Sequence, residues 1–131
     1  MRFGYTIIYV ADVPDTIAFY EKAFGIQRRF VVEDGSYGEM DTNGATLAFV
    51  DQGFVRTGFG FDFVANGAGS VPPGIEIGFV TEDVESAYHT ALAAGAKALV
   101  APLRKPWGQT VAYVRDMNGV IVELCTPMTP A

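Results

Sequence analysis

Two glutamates are the residues best suited to chemistry, because each lies within an otherwise apolar, strand-like run. Glu76 begins one such run and Glu123 lies near the end of another. Alternate side chains of a strand point to opposite faces, so Glu76 faces away from Ile77 and Phe79. Two carboxylates sharing an apolar pocket would raise at least one pKa, and one could then act as general base or acid. The alternative is that they are solvated or hydrogen-bonded to Tyr5.

Aromatic and basic residues are the candidates for ligand contacts. Trp107 lies in the segment Lys-Pro-Trp-Gly, where it would either stack on a planar ligand or cover a cavity mouth. Arg115 would pair with an anionic ligand or locally with the adjacent Asp116. The remaining aromatics in strand-like runs belong either to the core or to a cavity wall: Phe49, Phe59, Phe61 and Tyr113.

Other reactive residue types are poorly placed for catalysis. His89 falls inside an apparent helix and is expected on the surface. Cys125 shares the face of Glu123, but without a second cysteine or a nearby histidine in sequence it is not expected to be a nucleophile. The glycine-rich stretches 58–60 and 67–69 lack the preceding strand and following helix of a phosphate loop.

Composition excludes several classes of partner. The 131-residue chain has a formal net charge of −6, and its few basic residues are scattered, which argues against nucleic acid and against anionic membranes. The longest apolar runs are far shorter than the roughly 18 residues needed to span a bilayer. A single cysteine cannot form an internal disulfide. We therefore expect a cytoplasmic protein of one domain.

An internal repeat organises the chain. The segments 5–13 and 76–84 are both apolar runs that end on Asp-Val, which predicts helix N-caps at Asp12 and Asp83. Helical periodicity follows each and ends at Gly25 or Gly95, as expected for a left-handed C-cap. Each half therefore begins with a strand and a helix.

Further strand-like runs follow each helix. They cover 28–32, 36–40 and 45–50 in the first half and 97–100, 110–114 and 120–124 in the second. An Asn-Gly pair precedes the last run of each half and predicts a hairpin. Each half thus has the order β-α-β-β-β. We predict an α+β fold with module one at about 1–52, a linker at about 53–74 and module two at about 75–128. Within the linker, 59–63 alternates like a short strand.

This arrangement resembles the glyoxalase/bleomycin resistance/dioxygenase superfamily, also called vicinal oxygen chelate proteins. The resemblance covers essentially the whole chain. It is most specific at Tyr9–Val13, Ala18–Tyr20, Phe24-Gly25, Pro106–Gly108 and the D-x-N-G-x-x-x-E stretch Asp116–Glu123. It implies that each module forms an incomplete barrel and that two modules enclose a cavity. It also suggests a homodimer, and the linker would permit a domain-swapped one.

The resemblance also implies where a metal would bind. Metal-dependent relatives carry ligands on the first and last strands of each module, and the matching positions here are Tyr5, Ala48, Glu76 and Glu123. None is a histidine, whereas sites for zinc, iron, nickel or manganese usually include imidazole. We therefore expect no cofactor. If a divalent metal is bound after all, Glu76 and Glu123 are its ligands.

Three functions are consistent with these residues. The first is metal-free binding of a small amphipathic or cationic molecule, with Tyr5, Phe49, Trp107, Tyr113 and Arg115 as ligand-binding residues. The second is a lyase, isomerase or dioxygenase of the glyoxalase type that uses Glu76 and Glu123 as catalytic residues. The third is a scaffold whose dimer surface is its function. The sequence favours the first.

Overall fold

A computed structural model describes residues 1–129, which form two compact units, Met1–Asn66 and the chain from Gly67 onward. The first unit contains β1 (Tyr5–Val10), α1 (Val13–Phe24), β2 (Arg28–Val31), β3 (Tyr37–Met40), β4 (Thr46–Asp51) and α2 (Gln52–Gly58). The second contains β5 (Glu76–Val80), α3 (Val84–Ala93), β6 (Lys97–Arg104), β7 (Thr110–Arg115) and β8 (Ile121–Cys125).

Each unit has one four-stranded sheet with the same topology. The strand order is β1-β4-β3-β2 in the first sheet and β5-β8-β7-β6 in the second. The first strand of each unit pairs with the last in parallel, and the other neighbours are antiparallel. Both sheets are open. This confirms the predicted α+β fold and the tandem β-α-β-β-β order.

The helix boundaries follow from local side-chain chemistry. Asp12 and Asp83 each accept a hydrogen bond from the backbone N–H three residues later, at 2.9 and 3.0 Å, so both predicted N-caps are confirmed. Helix α1 ends at Gly25, whose φ of 69° is the predicted left-handed C-cap. Each N-cap fixes the residue at which the helix begins, directly after the first strand of its unit.

Each sheet buries one face under its long helix and leaves the other face open. In the first unit Ile17 and Tyr20 of α1 are fully buried, and the Tyr20 ring lies 4.9 Å from the ring of Phe49 on β4. In the second unit Ala91 of α3 and Val122 of β8 are fully buried on the equivalent face. Functional side chains are therefore to be sought on the open faces.

The Asp-x-Asn-Gly segment forms a hairpin in the second unit for a specific reason. The buried Asp116 accepts hydrogen bonds from the backbone N–H groups of Asn118 and Val120 at 2.8 and 2.9 Å. Gly119 supplies the positive φ of 85°, and no described non-glycine residue has a positive φ. The turn is therefore held by the aspartate, and only its glycine needs the left-handed region.

The first part of the predicted linker is helical. Residues 52–58 form the helix α2, which Asp51 caps by accepting from the N–H of Phe54 at 2.9 Å. The short strand expected at 59–63 is absent. Instead, the guanidinium of Arg56 lies 4.3 Å from the ring centre of Phe63 and holds this segment against α2. The glycine content of the segment concealed a short, well-capped helix.

Strand β6 runs four residues beyond the predicted 97–100 and includes Pro102. Proline is tolerated there because β6 is an edge strand whose pairing with β7 is irregular on both sides of Val100. Among residues 1–129, no helix combines the length and the apolar character that crossing a bilayer would require.

Candidate functional site

The two predicted catalytic glutamates lie on the open face of the second sheet. Residue 78 of β5 pairs with Glu123 of β8, and Tyr113 of β7 pairs with Glu123 from the other side. On β5, Ile77 pairs with the buried Val122 and so lies on the side that faces the helix. Because side chains alternate along a strand, the neighbouring Glu76 lies on the opposite, open side. Strand alternation therefore correctly predicts the face on which the carboxylates lie.

The Glu76 and Glu123 carboxyl groups are neighbours that interact electrostatically. Partial burial, followed by the charge of Glu123 and hydrogen bonding with it, raises the pKa of Glu76 above its ordinary value of 4.5. The hydroxyl of Tyr113 donates to Glu123 Oε1 at 3.1 Å. Burial and this bond raise the pKa of Tyr113 to about 12, so the phenol keeps its proton. The three groups lie together on the open face of the second sheet.

Cys125 borders this cluster and is buried. Its Sγ lies 3.7 Å from the carbonyl oxygen of Phe79. Burial, and then the neighbouring Glu123, raise the pKa of the Cys125 thiol to about 11. Because only the thiolate is a strong nucleophile, this cysteine is unreactive near neutral pH.

The register of the two sheets tests the inferred metal positions. Ala48 lies two residues beyond the β4 partner of Tyr5, just as Glu123 lies two residues beyond the β8 partner of Glu76. The four positions are therefore structurally equivalent in pairs. Within residues 1–129, no group of three or more His, Cys, Asp or Glu side chains is arranged to hold a metal ion. Two carboxylates and a phenol without imidazole do not fit the donor set of a tightly held transition metal.

A separate cavity opens on the sheet of the first unit. Its volume is about 440 Å³, and its walls are almost wholly apolar. The lining residues come from β1, β3, β4, α2 and the segments beside them: Ile7, Tyr9, Val32, Ser36, Tyr37, Val50, Phe54, Val55, Phe59 and Phe61. Of the aromatics considered from the sequence, Phe59 and Phe61 are the two that line it.

Helix α2 and the segment that follows it form the wall that the sequence did not predict. The rings of Phe54 and Phe59 meet edge to face at 5.7 Å, and those of Tyr9 and Phe63 at 4.8 Å. The Asn66 side-chain amide donates to the carbonyl of Tyr9 at 3.0 Å. These contacts tie the segment to β1 and keep the cavity formed.

A buried carboxylate whose hydrogen-bond partner lines this cavity was also not predicted from the sequence. Glu39 on β3 is 7% exposed and accepts a hydrogen bond from the hydroxyl of Tyr37 at 2.7 Å. Its other oxygen lies 3.5 Å from the guanidinium of Arg29. Tyr37 and Glu39 are two residues apart on one strand, so strand alternation alone places them on the same face. This two-residue spacing is the sequence feature from which the Tyr37–Glu39 pair could have been predicted.

The structure contradicts the ligand-binding prediction for Phe49. Its side chain is 0% exposed and packs on Tyr20, so it belongs to the core beneath α1. The reason is alternation: if Ala48 faces the open side of β4, Phe49 must face the helix. Tyr5 is 55% exposed and lies on the same side of β1 as Ile7, but it does not line the cavity.

Arg115 and Trp107 lie in the second unit and have local partners. Arg115 donates to the carbonyls of Ser70 at 2.6 Å and Gly119 at 2.8 Å, so its guanidinium anchors backbone within the second unit. Trp107 is 58% exposed in the β6–β7 turn, and its Nε1–H donates to Gln109 at 3.0 Å. Neither residue lines the cavity of the first unit.

His89 lies on the exposed surface of α3, as predicted. Its Nε2 is 3.0 Å from a carboxylate oxygen of Glu85, one turn earlier on the same helix. Because His89 lies on the helix surface and pairs with Glu85, it is not positioned to act as a ligand or base on the open sheet faces.

Solved structures resemble this chain over nearly its whole length. No curated protein matches its sequence. The fold is similar to that of a glyoxalase-related enzyme from Fulvimarina pelagi, with 19% identity, a TM-score of 0.83, and coverage of 97% of this chain and 88% of that one. It is also similar to a glyoxalase/bleomycin resistance protein/dioxygenase family enzyme from Burkholderia phytofirmans PsJN, with 20% identity, a TM-score of 0.76, and coverage of 96% and 98%.

A third similar structure is TioX from Micromonospora sp. ML1, with 19% identity, a TM-score of 0.68, and coverage of 96% of this chain and 98% of that one. At these identities the structural likeness establishes the fold alone. The family model of the Glyoxalase/Bleomycin resistance protein/Dioxygenase superfamily matches residues 2–124. With its two β-α-β-β-β modules and this match over nearly its full length, the chain belongs to that superfamily.

Proposed function

We propose that the chain binds a small, largely apolar aromatic molecule in the cavity of its first unit, and that binding itself is its activity. The observation that supports this most is the cavity, with a volume of about 440 Å³ and five aromatic side chains in its wall. Ligand sites typically measure roughly 300–1,000 Å³ and combine apolar walls with a few polar groups. Here the polar groups are hydroxyls.

Exposure of the cavity aromatics also supports the proposal. Phe54, Phe59 and Phe61 are between 47% and 59% exposed, although each is large and apolar. Aromatic side chains grouped at a concave surface are typical of recognition sites. A planar ligand would cover these rings, and stacking would add to the gain from burial.

N-phenyl-1-naphthylamine is a suitable probe, because it is uncharged and its fluorescence increases in apolar surroundings. We expect saturable binding by the wild-type protein. The variant Phe61→Ala removes a wall residue and should weaken binding about tenfold, since burial of a phenyl group contributes about 1.5–3 kcal/mol and Phe61 is half exposed. Phe3→Ala, which truncates a 73% exposed residue outside the cavity, is the matched control. Equal losses in both variants, or no saturable binding, would contradict the proposal.

The carboxyl pair of the second unit favours a second candidate function, an enzyme that moves a proton on its substrate. The carboxyl groups of Glu76 and Glu123 interact, and the pKa of Glu76 is raised, which is the direction that favours a general acid or base. The alternative function is thus a lyase, isomerase or dioxygenase of the glyoxalase type. Hydroxyacetone in D₂O should then exchange its carbon-bound hydrogens, as followed by NMR. Exchange that persists undiminished in Glu123→Gln would eliminate this candidate.

A further inference from the structure

Tyr37 is a polar wall residue of the cavity whose hydrogen-bonding role is fixed. Its hydroxyl donates to Glu39 Oε2 at 2.7 Å. Burial, and then this bond, raise the pKa of Tyr37 above its ordinary value of 10.0, so the phenol is protonated throughout the neutral range. A phenol has one hydrogen to donate. With that hydrogen on Glu39, the hydroxyl oxygen of Tyr37 can only accept from a ligand.

Glu39 is itself held in place. It is 7% exposed, and its second oxygen lies 3.5 Å from the guanidinium of Arg29, which also lies 3.8 Å from Asp41. If Tyr37 turned its hydrogen toward a ligand, this buried carboxylate would lose a partner. An unmet hydrogen bond at a buried charged group costs more than a new neutral one returns. The orientation of the Tyr37 hydroxyl is therefore maintained when a ligand enters.

The other polar groups of the wall do not impose such a preference. Tyr9 and Ser36 are the other hydroxyl-bearing residues of the wall, and a hydroxyl that is free to rotate either donates or accepts. These two residues would serve donor and acceptor ligands alike. Discrimination between the two classes of ligand must then come from Tyr37.

We infer that the cavity selects aromatic ligands with an N–H or O–H group where the ligand meets Tyr37, and that Glu39 is the positioning residue that sets this preference. Glu39 is not among the residues that line the cavity, so it acts through the Tyr37 hydroxyl. This inference rests on the proposed function. It narrows the ligand class to amines, anilines, phenols and alcohols on an aromatic frame.

The test compares two probes of the same size. N-phenyl-1-naphthylamine has a bridging N–H, whereas 1-phenoxynaphthalene has an ether oxygen in the same place. The dissociation constant of the amine is measured by fluorescence and that of the ether by displacement of the amine. We expect wild type to bind the amine about tenfold more tightly, the value of one hydrogen bond made rather than one mismatched.

Three variants assign the preference to its source. Tyr37→Phe should bring the ratio of the two dissociation constants close to one. Glu39→Met replaces the carboxylate with an apolar group of similar shape and frees the Tyr37 hydrogen to donate. It should therefore improve binding of the ether while the amine changes little, a gain that a purely structural role would not produce. Ser36→Ala, another change in a wall hydroxyl, is the matched control and should keep the wild-type ratio.

The outcomes separate this inference from the function on which it rests. If wild type binds both probes equally well, donor selection is refuted and the proposed binding function stands. If the ratio survives in Tyr37→Phe, the donor is recognised elsewhere and the inference is refuted. If neither probe binds, the proposed function fails and this inference fails with it. Should Glu39→Met not fold, Tyr37→Phe and Ser36→Ala still decide the question.

Discussion

Replacing Glu76 with glutamine should stabilise the protein at neutral pH. The Glu76 and Glu123 carboxyl groups are neighbours on the open face of the second sheet, and their mutual repulsion helps to raise the pKa of Glu76. A glutamine amide removes one of the two charges and can donate to the remaining carboxylate. The change should therefore convert an unfavourable pair into a favourable one.

The magnitude follows from the exposure of Glu76 and from the repulsion expected of two neighbouring charges. Two like charges about 4 Å apart repel by about 1 kcal/mol in water and about 4 kcal/mol at an effective dielectric constant of 20. Glu76 is largely exposed, so the lower value applies. For a chain of this size, about 1 kcal/mol corresponds to an increase of about 3–5 °C in the unfolding midpoint.

The pH dependence gives the prediction its sign. Because the folded-state pKa of Glu76 is above 4.5, the folded protein binds more protons than the unfolded chain just above that pH. Stability of the wild type therefore falls as pH rises through this window. The advantage of Glu76→Gln should be present at pH 7.5 and absent at pH 3.5, where the Glu76 carboxyl group is protonated.

Thermal unfolding followed by circular dichroism at these two pH values is the assay. Glu82→Gln, which neutralises an exposed glutamate in the loop before α3, is the control and should not raise the midpoint. An equal gain for Glu76→Gln at both pH values, or a loss at pH 7.5, would refute the idea that the two carboxyl groups repel each other in the folded state.

Three further predictions concern the fold and the site. Gly38→Ala should destabilise the protein by about 1–3 kcal/mol in denaturant unfolding, because its Cβ would collide with Ile17 Cδ1; Gly78→Ala, whose Cβ meets nothing within 4 Å, should cost far less, and equal costs would contradict the packing. Asp83→Ala should lower the thermal midpoint by about 3–5 °C through loss of a cap of about 1 kcal/mol, and an unchanged midpoint would dismiss that cap. Native mass spectrometry after incubation with Mn²⁺, Zn²⁺ and Ni²⁺ should show no stoichiometric metal, and the same spectra test the predicted homodimer.

The repeat could be read from the sequence because its determinants are local. Asp12 and Asp83 cap helices through residues three positions away, and Asp116 holds its turn through residues two and four positions away. Interactions of this range leave a pattern in the sequence. The face on which Glu76 lies was predictable for the same reason, since strand alternation is a local rule.

The cavity could not be read from the sequence because residues distant along the chain form it. Ile7 on β1, Tyr37 on β3 and Phe61 beyond α2 meet only after the sheet has formed. Helix α2 was concealed by glycine content that is typical of a linker. The burial of Phe49, by contrast, could have been predicted from the sequence. The position assigned to Ala48 on the open face already required its neighbour to face α1.

The claim that the ligand binds in the first unit can be checked by methyl NMR spectroscopy. On titration with N-phenyl-1-naphthylamine, the methyl signals of the cavity residues Ile7, Val32 and Val50 should shift together and saturate. Those of Val80 and Ile121, on the open sheet face of the second unit, should not move. Saturable shifts at Val80 and Ile121, with none at the cavity residues, would contradict the claim and move the ligand to the sheet that bears the carboxyl pair.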